Sequence, residues 1–503
     1  MTYAAPILLP EIDALAERRK KEILEAKDEI EIKGIKYFVS EAGDDSLDGL
    51  SDATAWRSLA RVREAKLMPG DGVLFRRGDT FRGWLIASPG VTYAAYGEGE
   101  KPKLFGWDKN LADEALWTLV EGTENIWRYG ERVLDPGTLV FNDGERHSRK
   151  LIPSYINGRF VCRDDESRAF DMRDQMTEDL DLYWHFEDKL TEKESRGKTF
   201  PIPEVVDAEG EIYLRSDEGN PAKRFSSIEA LTRRAMFRVG DAPNVRIDNI
   251  CMKYIGLHAV AAGGHVVGLH VTNCEIGWIG GTIQHYYGTD PNYPEGDRGT
   301  VTRFGNGVEI YGGCEDYEVS NCYIYQVYDA GITHQITSFG KKTVMDGVLY
   351  RGNLVERCVY SVEYFLEIEP EGNDSYMKNI VMKDNILRYA GEGWGQQRHN
   401  KHTPSHIKGW SYVNTASDYV VEDNVFDRCA YRLLHLVAKD IESCPKMSGN
   451  TYVQYRGGML GQYGGNGASK EKEPPVLTVD DDFDLAVKSV FDDGDAKTCI
   501  VEK

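Results

Sequence analysis

The phrase Asn321-Cys-Tyr-Ile, followed along the chain by Asn353-Leu-Val and Asn385-Ile-Leu, decides the fold. An asparagine before alternating apolar residues is typical of a turn that leads into a short strand. The phrase recurs at intervals of 24 to 48 residues, and its other copies are Asn249-Ile-Cys, Asn273-Cys-Glu-Ile, Asn424-Val-Phe and Asn450-Thr-Tyr-Val. A phrase repeated at loose spacing indicates a solenoid with insertions between some coils. We therefore predict an all-β, right-handed parallel β-helix over residues 236–462, whose asparagine amides hydrogen-bond from coil to coil.

The segments around this core predict the rest of the organisation. Residues 1–35 contain a charged stretch with helical spacing of apolar residues, which we expect to cap the open end of the solenoid. Its apolar residues are Ile12, Leu15, Ile23 and Leu24. We expect residues 36–110 to form the first coils and residues 111–235, which break the coil pattern, to form a β-rich insertion. Residues 463–503 have the composition of a linker and a short acidic segment.

The composition restricts the partners. The chain has 503 residues and a formal charge of −22, which disfavours nucleic acid and anionic membrane surfaces as partners. The first residues lack the pattern of a secretory signal, and no apolar run is long enough to cross a bilayer. We therefore expect a cytoplasmic protein, and a homo-oligomer is compatible with the sequence. Cys274 and Cys322 occupy the same place in their phrases, which favours small apolar core positions over disulfides.

Several further stretches have a recognisable form. They are Tyr37-Phe-Val-Ser-Glu-Ala-Gly-Asp-Asp-Ser-Leu-Asp-Gly, Pro69-Gly-Asp-Gly-Val-Leu-Phe-Arg-Arg-Gly-Asp-Thr-Phe-Arg-Gly, Arg303-Phe-Gly-Asn-Gly-Val-Glu-Ile and Tyr328-Asp-Ala-Gly-Ile-Thr-His-Gln. Together they resemble the pectate-lyase-like group of right-handed β-helix carbohydrate-active enzymes, most closely its bacterial glycoside hydrolases. The resemblance extends over residues 36–462 and implies the fold and a carbohydrate substrate. It does not select the reaction, because the group includes hydrolases, lyases and epimerases.

Three carboxylates are the candidate catalytic groups. If Val308, Ile332 and Val362 point inward, period-two geometry places Glu309, Thr333 and Glu363 outward in one row. Asp329 lies at the turn that enters the middle strand. Carboxyl groups about 5–5.5 Å apart suit a retaining glycosidase, and about 6.5–9.5 Å an inverting one. We predict Asp329 and Glu363 as the catalytic pair and Glu309 as a third carboxylate; the alternatives are a turn-capping aspartate and solvated strand residues.

Other candidate site residues are polar or aromatic neighbours of this row. His334 is predicted either to act directly or to hydrogen-bond to the carboxylates. The predicted substrate-binding residues are His285, Arg303, Gln335, Trp394, Arg398 and His399. The spacing of His399, His402 and His406 fits no standard zinc pattern. We therefore expect no metal site and no cofactor.

These features favour a glycoside hydrolase, with exo action, that cleaves plant or host-derived oligosaccharides. The aligned carboxylates and the aromatic loops near them carry this prediction. One alternative is a polysaccharide lyase that cleaves uronic-acid chains by β-elimination, although the acidic groove would repel such chains without a cation. A second alternative is a non-catalytic carbohydrate-binding solenoid, which needs aromatic surfaces but no clustered acids.

Overall fold

Three long sheets wind around one core in this protein. The structure is a computed structural model that describes residues 9–27, 30–187, 189–195, 197–290, 298–338, 340–368, 373–398, 403–409, 415–467 and 474–502. Within one coil the chain passes from sheet 1 to sheet 2 and then to sheet 3, and each strand pairs in parallel with the equivalent strand of the next coil. The parallel β-helix predicted from the repeated phrase is confirmed.

Each sheet takes one strand from nearly every coil. Sheet 1 contains Lys36–Val39, Gly72–Arg76, Thr92–Tyr96, Arg246–Asp248, Val266–Val267, His270–Thr272, Cys314–Ser320, Val344–Arg351, Tyr376–Lys383, Ser417–Glu422 and Lys446–Ser448. Sheet 2 contains Thr80–Arg82, Lys103–Phe105, Cys251–Ile255, Glu275–Ile279, Tyr323–Val327, Leu354–Glu356, Ile386–Ala390, Val425–Cys429, Thr451–Tyr455 and Lys497–Val501. Sheet 3 contains Leu85–Ile86, Phe237–Arg238, Val260–Ala262, Val308–Ile310, Ala330–Thr337, Tyr360–Glu367, Ser405–Gly409, Arg432–Ala438, Met459–Gly465 and Leu477–Thr478.

The strands of sheet 3 alternate between core and surface as the sequence predicts. Val308 pairs with Ile332, which pairs with Val362, and all three are buried in the hydrophobic core. Stacking of the same aliphatic position from coil to coil removes these side chains from water and fixes the register. The intervening residues therefore point away from the core.

The repeated asparagines divide into two groups. Asn353, Asn385, Asn424 and Asn450 form a buried ladder in which each side-chain amide donates to the next asparagine's Oδ1, at 2.8 to 3.1 Å. Strand register places Cys322, Cys274 and Ile250 at this same position in the earlier coils. Asn249, Asn273 and Asn321 therefore lie one residue earlier, where φ is 51° to 61°.

This finding corrects the prediction of a single ladder through all seven asparagines. The first group of asparagines occupies a left-handed turn position, which asparagine tolerates better than most residues. Gly352 takes that turn position before Asn353, and Gly449 takes it before Asn450. Asparagine thus has two structural roles at adjacent positions of the coil, one in the left-handed turn and one in the buried ladder.

The insertion is β-rich, as predicted, and consists of antiparallel and mixed small sheets with a core of their own. Its strands are Trp117–Leu119, Ile126–Leu134, Pro136–Phe141, Arg146–His147, Arg149–Leu151, Ser154–Ile156, Arg159–Val161, Asp181–Phe186, Leu190–Ser195, Lys198–Pro203, Glu209–Arg215 and Ile228–Thr232. The core of the insertion also takes in Ile283, Tyr286 and Val301 from a hairpin formed by Thr282–Tyr286 and Val301–Phe304. This packing attaches the insertion to the hairpin beside sheet 3.

The N-terminal helix, Leu9–Leu24, does not cap the end of the solenoid. Its buried residues Ile12, Ala16 and Ile23 pack on the outer face of sheet 2, against one apolar side chain from each of five coils. Those side chains are Tyr323, Leu354, Ile386, Val425 and Val453. The prediction of an end cap was wrong because periodicity shows that a helix has an apolar face but not which surface that face covers.

Residues 474–502 of the C-terminal segment pack on the solenoid, which corrects the prediction of a separate acidic tail; the predicted linker falls largely on residues 468–473, outside the described residues. Lys497–Val501 pairs in parallel with Thr451–Tyr455 and extends sheet 2. Phe483–Val490 is a helix whose Phe483 and Val487 enter the main core. Asp493 ends the asparagine ladder by accepting hydrogen bonds from the backbone and side chain of Asn450.

The remaining helices are short. They are Leu59–Glu64, Met172–Gln175 and Pro221–Arg224, with 3-10 turns at Asp52–Thr54, Glu114–Leu116, Asn142–Gly144, Trp394–Gln397 and Ile441–Ser443. Among the described residues, no helix has the length and apolar character needed to span a membrane. All nine cysteines are free thiols.

Candidate active site

A cavity of about 710 Å³ lies on the outer face of sheet 3. Its floor consists of the outward side chains of Val308–Ile310, Ala330–Thr337 and Tyr360–Glu367. One wall comes from the hairpin through Gln284, Thr302 and Phe304, and another from Arg398. On the preceding coil Ala261 occupies the position next to Glu309, and its small side chain leaves room for the cavity.

Strand pairing arranges the floor in three rows. The catalytic row is the name used here for Glu309, Thr333 and Glu363, which lie side by side on successive coils. The second row, two residues further along each strand, is Tyr311, Gln335 and Phe365. The third row is Thr337 and Glu367. Since neighbouring strands are about 4.8 Å apart, the backbones of Glu309 and Glu363 are about 9.6 Å apart.

Glu309 is held by donors from two elements. Its Oε2 accepts hydrogen bonds from the Asn306 amide and, at 3.0 Å, from the Thr333 hydroxyl. The Asn306 side chain is itself fixed, because its Oδ1 accepts from the backbone N–H of Ala330 at 2.8 Å. Glu309 is only 8% exposed. Two donors aimed at one oxygen fix the orientation of this carboxylate.

Asp329 forms a buried ion pair with Arg398. Burial by itself would lower the pKa of Arg398, but the neighbouring groups Asp329, Tyr360, Tyr328 and Glu363 raise it above its ordinary value. The guanidinium therefore stays charged and lies close to two carboxylates, Asp329 and Glu363. A buried cation in this position offsets part of the repulsion between them.

His258 lies near two of the three carboxylates, Glu309 and Asp329. Its Nδ1 lies 3.9 Å from Glu309 Oε2 and accepts a hydrogen bond from the backbone N–H of Asn306 at 3.0 Å. Burial lowers the pKa of His258, although Glu309 and Asp329 act in the opposite direction. The imidazole is therefore neutral near pH 7. Glu309, Asp329 and Glu363 thus converge on one cavity, joined by His258 and Arg398.

His334 does not face this cavity, which corrects the prediction that it acts in or beside the catalytic row. Its side chain points into the core, stacks on Tyr364 with 5.4 Å between ring centroids, and contacts the Tyr350 hydroxyl through Nδ1 at 2.8 Å. Burial lowers its pKa to about 3. The alternation that turns Thr333 outward turns His334 inward.

Arg303 and Trp394 lie behind the cavity wall and do not face a substrate. Arg303 donates to the backbone carbonyls of Gly281 and Gly137, at 2.7 and 2.8 Å. Its guanidinium lies 4.4 Å from the ring centroid of Tyr328, and Trp394 packs on the same ring. Tyr328 directly precedes Asp329. Arg303 and Trp394 therefore help to position the turn that carries Asp329 and do not line the cavity.

The other predicted binding residues have different positions. Gln335 and Arg398 line the cavity, as expected for substrate-binding residues. His285 is not among the described residues that line the cavity, although it pairs across the hairpin with Thr302, which does, and burial lowers the pKa of His285 to about 4. His399 lies outside the described residues. Within the described residues, no group of three or more histidine, cysteine, aspartate or glutamate side chains is arranged to hold a metal ion.

No protein-family model matches this chain, and no curated protein matches it. Among solved structures it is similar to XylC in complex with xylose, at 12% identity and a TM-score of 0.41, over 93% of this chain and 82% of that one. It is also similar to a glycoside hydrolase, at 10% identity and a TM-score of 0.45, over 84% of this chain and 94% of that one.

A third similar structure is the family 28 exopolygalacturonase of Yersinia enterocolitica, at 10% identity and a TM-score of 0.33, over 84% of this chain and 66% of that one. All of these identities and scores are low. The fold therefore rests on the strand pairing described above, and function is inferred from the site itself.

Several residues of the cavity were not predicted from the sequence. Tyr311, Phe365 and Glu367 follow from the alternation that gives Glu309 and Glu363, so extending that pattern along each strand would have found them. His258 carried no such signal, because it comes from a turn of another coil, whereas Asn306 lies three residues before Glu309 in the turn that enters the same strand. The hairpin residues Gln284, Thr302 and Phe304 also meet the cavity only through tertiary packing.

Proposed function

We propose that this protein is a glycoside hydrolase that cleaves glycosidic bonds of neutral plant or host-derived oligosaccharides. The observation that carries the proposal is the convergence of Glu309, Asp329 and Glu363 on one cavity of about 710 Å³. Glycoside hydrolysis needs one protonated carboxyl group and one carboxylate on either side of the scissile bond. Three buried carboxylates satisfy that requirement, and two of them, Glu309 and Asp329, are held by specific partners, which a solvated strand face would not need.

The surroundings of the carboxylates support different roles. Glu309 accepts two hydrogen bonds and Asp329 pairs with Arg398, and these two are assigned as the candidate base or nucleophile. Glu363, the other carboxyl of the catalytic row, is assigned as the general acid. It protonates the glycosidic oxygen as the bond from the anomeric carbon breaks. Asp329 or Glu309 then acts as the base that takes a proton from the attacking water, or as the nucleophile in a retaining reaction.

The charge of the cavity favours an uncharged sugar. Among the described residues four carboxylates line it, Glu309, Asp329, Glu363 and Glu367, and the one arginine, Arg398, already pairs with Asp329. A sugar carboxylate would be repelled in this field. The cavity is also bounded, where the strands begin, by Arg398, His258 and Asn306. That closed end supports exo action on a chain terminus.

The experiment is a screen of the purified protein, with and without EDTA, on aryl glycosides and neutral plant oligosaccharides. Uronate polymers run in parallel, followed by the ultraviolet absorbance of the unsaturated product. We expect sugar release that EDTA does not change. A calcium-dependent rise in absorbance would instead identify a lyase, and tight sugar binding without turnover would identify a carbohydrate-binding solenoid.

Variants then test the assigned residues. Glu363→Gln, Asp329→Asn and Glu309→Gln should each lower kcat/KM by about 10²- to 10⁴-fold. Glu363→Gln should recover on aryl glycosides with a good leaving group, because such substrates need no general acid. If Asp329→Asn recovers on these substrates instead, Asp329 is the general acid and Glu363 is the base or nucleophile. Glu315→Gln is the matched control, since Glu315 pairs with His265 on the outer face of sheet 1.

A further inference from the structure

The second row of the cavity floor has features that the catalytic carboxylates do not explain. Tyr311 and Phe365 are aromatic side chains on the outward face of a sheet, and both line the cavity. Tyr311 is 44% exposed, so its ring is accessible from the cavity. Gln335 lies between them on the intervening coil.

The spacing of this row matches the thickness of a sugar ring. Tyr311 and Phe365 are two strands apart, so their backbones are separated by about 9.6 Å. A ring in van der Waals contact on both faces needs about 7–8 Å, since each carbon contact takes about 3.5–4.0 Å. A pyranose therefore fits between the two aromatic side chains with its edge above Gln335. Aromatic faces are suited to the apolar C–H surface of a sugar.

The polar groups of the row suit the rim of the same ring. The Gln335 side chain offers both an acceptor and donors, as sugar hydroxyls require. Beyond it, Glu367 Oε2 accepts a hydrogen bond from the Thr337 hydroxyl at 3.0 Å. A sugar in the second row would thus lie between the carboxylates of the catalytic row and that of Glu367. An uncharged sugar is tolerated there, and a uronic acid is not.

The distance to the catalytic row is right for a neighbouring sugar unit. Two residues along a strand cover about 6.6 Å, which is similar to the spacing of adjacent rings in an oligosaccharide. The substrate would then lie along the strands of sheet 3, across the solenoid, rather than along the axis of the solenoid. Its catalytic end would meet the closed side at Arg398.

We propose that Tyr311, Gln335 and Phe365 form a second sugar subsite that binds an uncharged pyranose next to the catalytic row. The inference rests on the proposed function for the position of the scissile bond, but not for the binding of the ring. It assigns Tyr311 and Phe365 as the residues that make the protein prefer a disaccharide over a monosaccharide.

The test measures binding on the Glu363→Gln background, where turnover does not interfere. Binding of each probe is measured by calorimetry. The probes are cellobiose, xylobiose, lactose and maltose, with glucose, xylose and galactose as the matching monosaccharides. We expect at least one disaccharide to bind more tightly than its monosaccharide. Tyr311→Ala and Phe365→Ala should each reduce that preference about tenfold, and Phe365→Tyr should restore it.

Tyr376→Ala is the control, because Tyr376 is an exposed tyrosine on sheet 1 and belongs to no part of the cavity. An unchanged preference in Tyr311→Ala and Phe365→Ala would overturn the subsite, as would the absence of any preference for a disaccharide. If the preference falls as expected while the wild-type protein releases no sugar from any substrate, the subsite stands and the hydrolase proposal fails. If Glu363 is essential for turnover but both aromatic variants keep the preference, the hydrolase proposal stands and the subsite fails.

Discussion

Two stacked rows of polar side chains run from coil to coil in this solenoid, and they differ in what their groups contact. In the asparagine ladder, Asn353, Asn385, Asn424 and Asn450 repeat one residue type and satisfy one another inside the fold. In the catalytic row, Glu309, Thr333 and Glu363 differ from coil to coil and face a cavity.

The contrast shows how a repeating backbone separates structure from function. Identical neighbours can complete each other's hydrogen bonds, which lowers the energy of a buried row. Carboxylates stacked in the same way would repel one another, and they are kept in place here by groups from other elements, such as Arg398, Asn306 and His258. Loss of a ladder residue should therefore lower stability, and loss of a catalytic-row carboxylate should lower activity.

The largest expected effect is on activity in the catalytic row. Glu363→Gln should lower kcat/KM by about 10²- to 10⁴-fold, because protonation of the leaving group is lost. Its free energy of unfolding should stay about the same, since a protonated carboxyl group and an amide have the same size and both carry a donor and an acceptor. Steady-state kinetics and denaturant unfolding check the two halves of this prediction. A large fall in stability would show that Glu363 is a structural residue like the ladder asparagines.

The next effect is on stability in the ladder. Asn385→Ala removes the acceptor of the backbone and side-chain N–H groups of Asn353, at 3.1 and 2.9 Å, and removes one of the two donors to Asn424 Oδ1, leaving the backbone N–H of residue 385. We expect a loss of about 3 kcal/mol in the free energy of unfolding, measured by urea denaturation, with kcat unchanged in the folded fraction. Asn125→Ala is the control, because the Asn125 amide donates to Asp217 on the exposed side of the insertion. This substitution should cost less than about 1 kcal/mol.

The pH dependence of stability tests the inward position of His334. Its strand carries Thr333 on the cavity face and His334 on the core face. The pKa of His334 is lowered to about 3 by burial, and an unfolded histidine has a pKa of about 6.5. Between these values the unfolded chain binds a proton that the folded chain excludes, so stability falls as the pH falls below 6.5. From pH 7 to pH 5 His334 should account for about 2 kcal/mol of that loss.

The measurement compares the slope of unfolding free energy against pH in the wild type and in His334→Gln. The variant should have a shallower slope between pH 7 and pH 5, whatever its absolute stability. Equal slopes in His334→Gln and the wild type would mean that His334 is accessible to solvent, which would return it to the candidate site residues.

The smallest effect is expected where the ladder position is filled by cysteine. Cys322→Ala removes a buried sulfur with weak hydrogen bonds to the carbonyls of Val271 and Ser320. We expect a loss of about 1 kcal/mol, mainly from lost packing, measured by the same urea denaturation. A loss as large as that of Asn385→Ala would show that the ladder amides add no stability beyond packing.

Part of the site was predictable from alternation alone. The outward positions of Glu309 and Glu363, and the inward position of Val308, follow from the period of a strand and are confirmed by the pairing register. The same rule would have placed His334 in the core. His334 was wrongly grouped with the carboxylates because it follows Thr333 of the same row in sequence, whereas adjacent strand residues point to opposite faces. The catalytic and binding roles themselves stay proposals.

The sequence by itself determined the parallel solenoid, the β-rich insertion and the outward row of carboxylates, because these depend on local periodicity repeated from coil to coil. Only the tertiary structure decided which groups hold those carboxylates. Arg398, His258 and the hairpin come from separate coils, and the spatial contacts between them have no signature in local sequence. The same limit applies to the N-terminal helix, whose apolar face was evident but whose place on sheet 2 depended on the surface that five stacked coils present together.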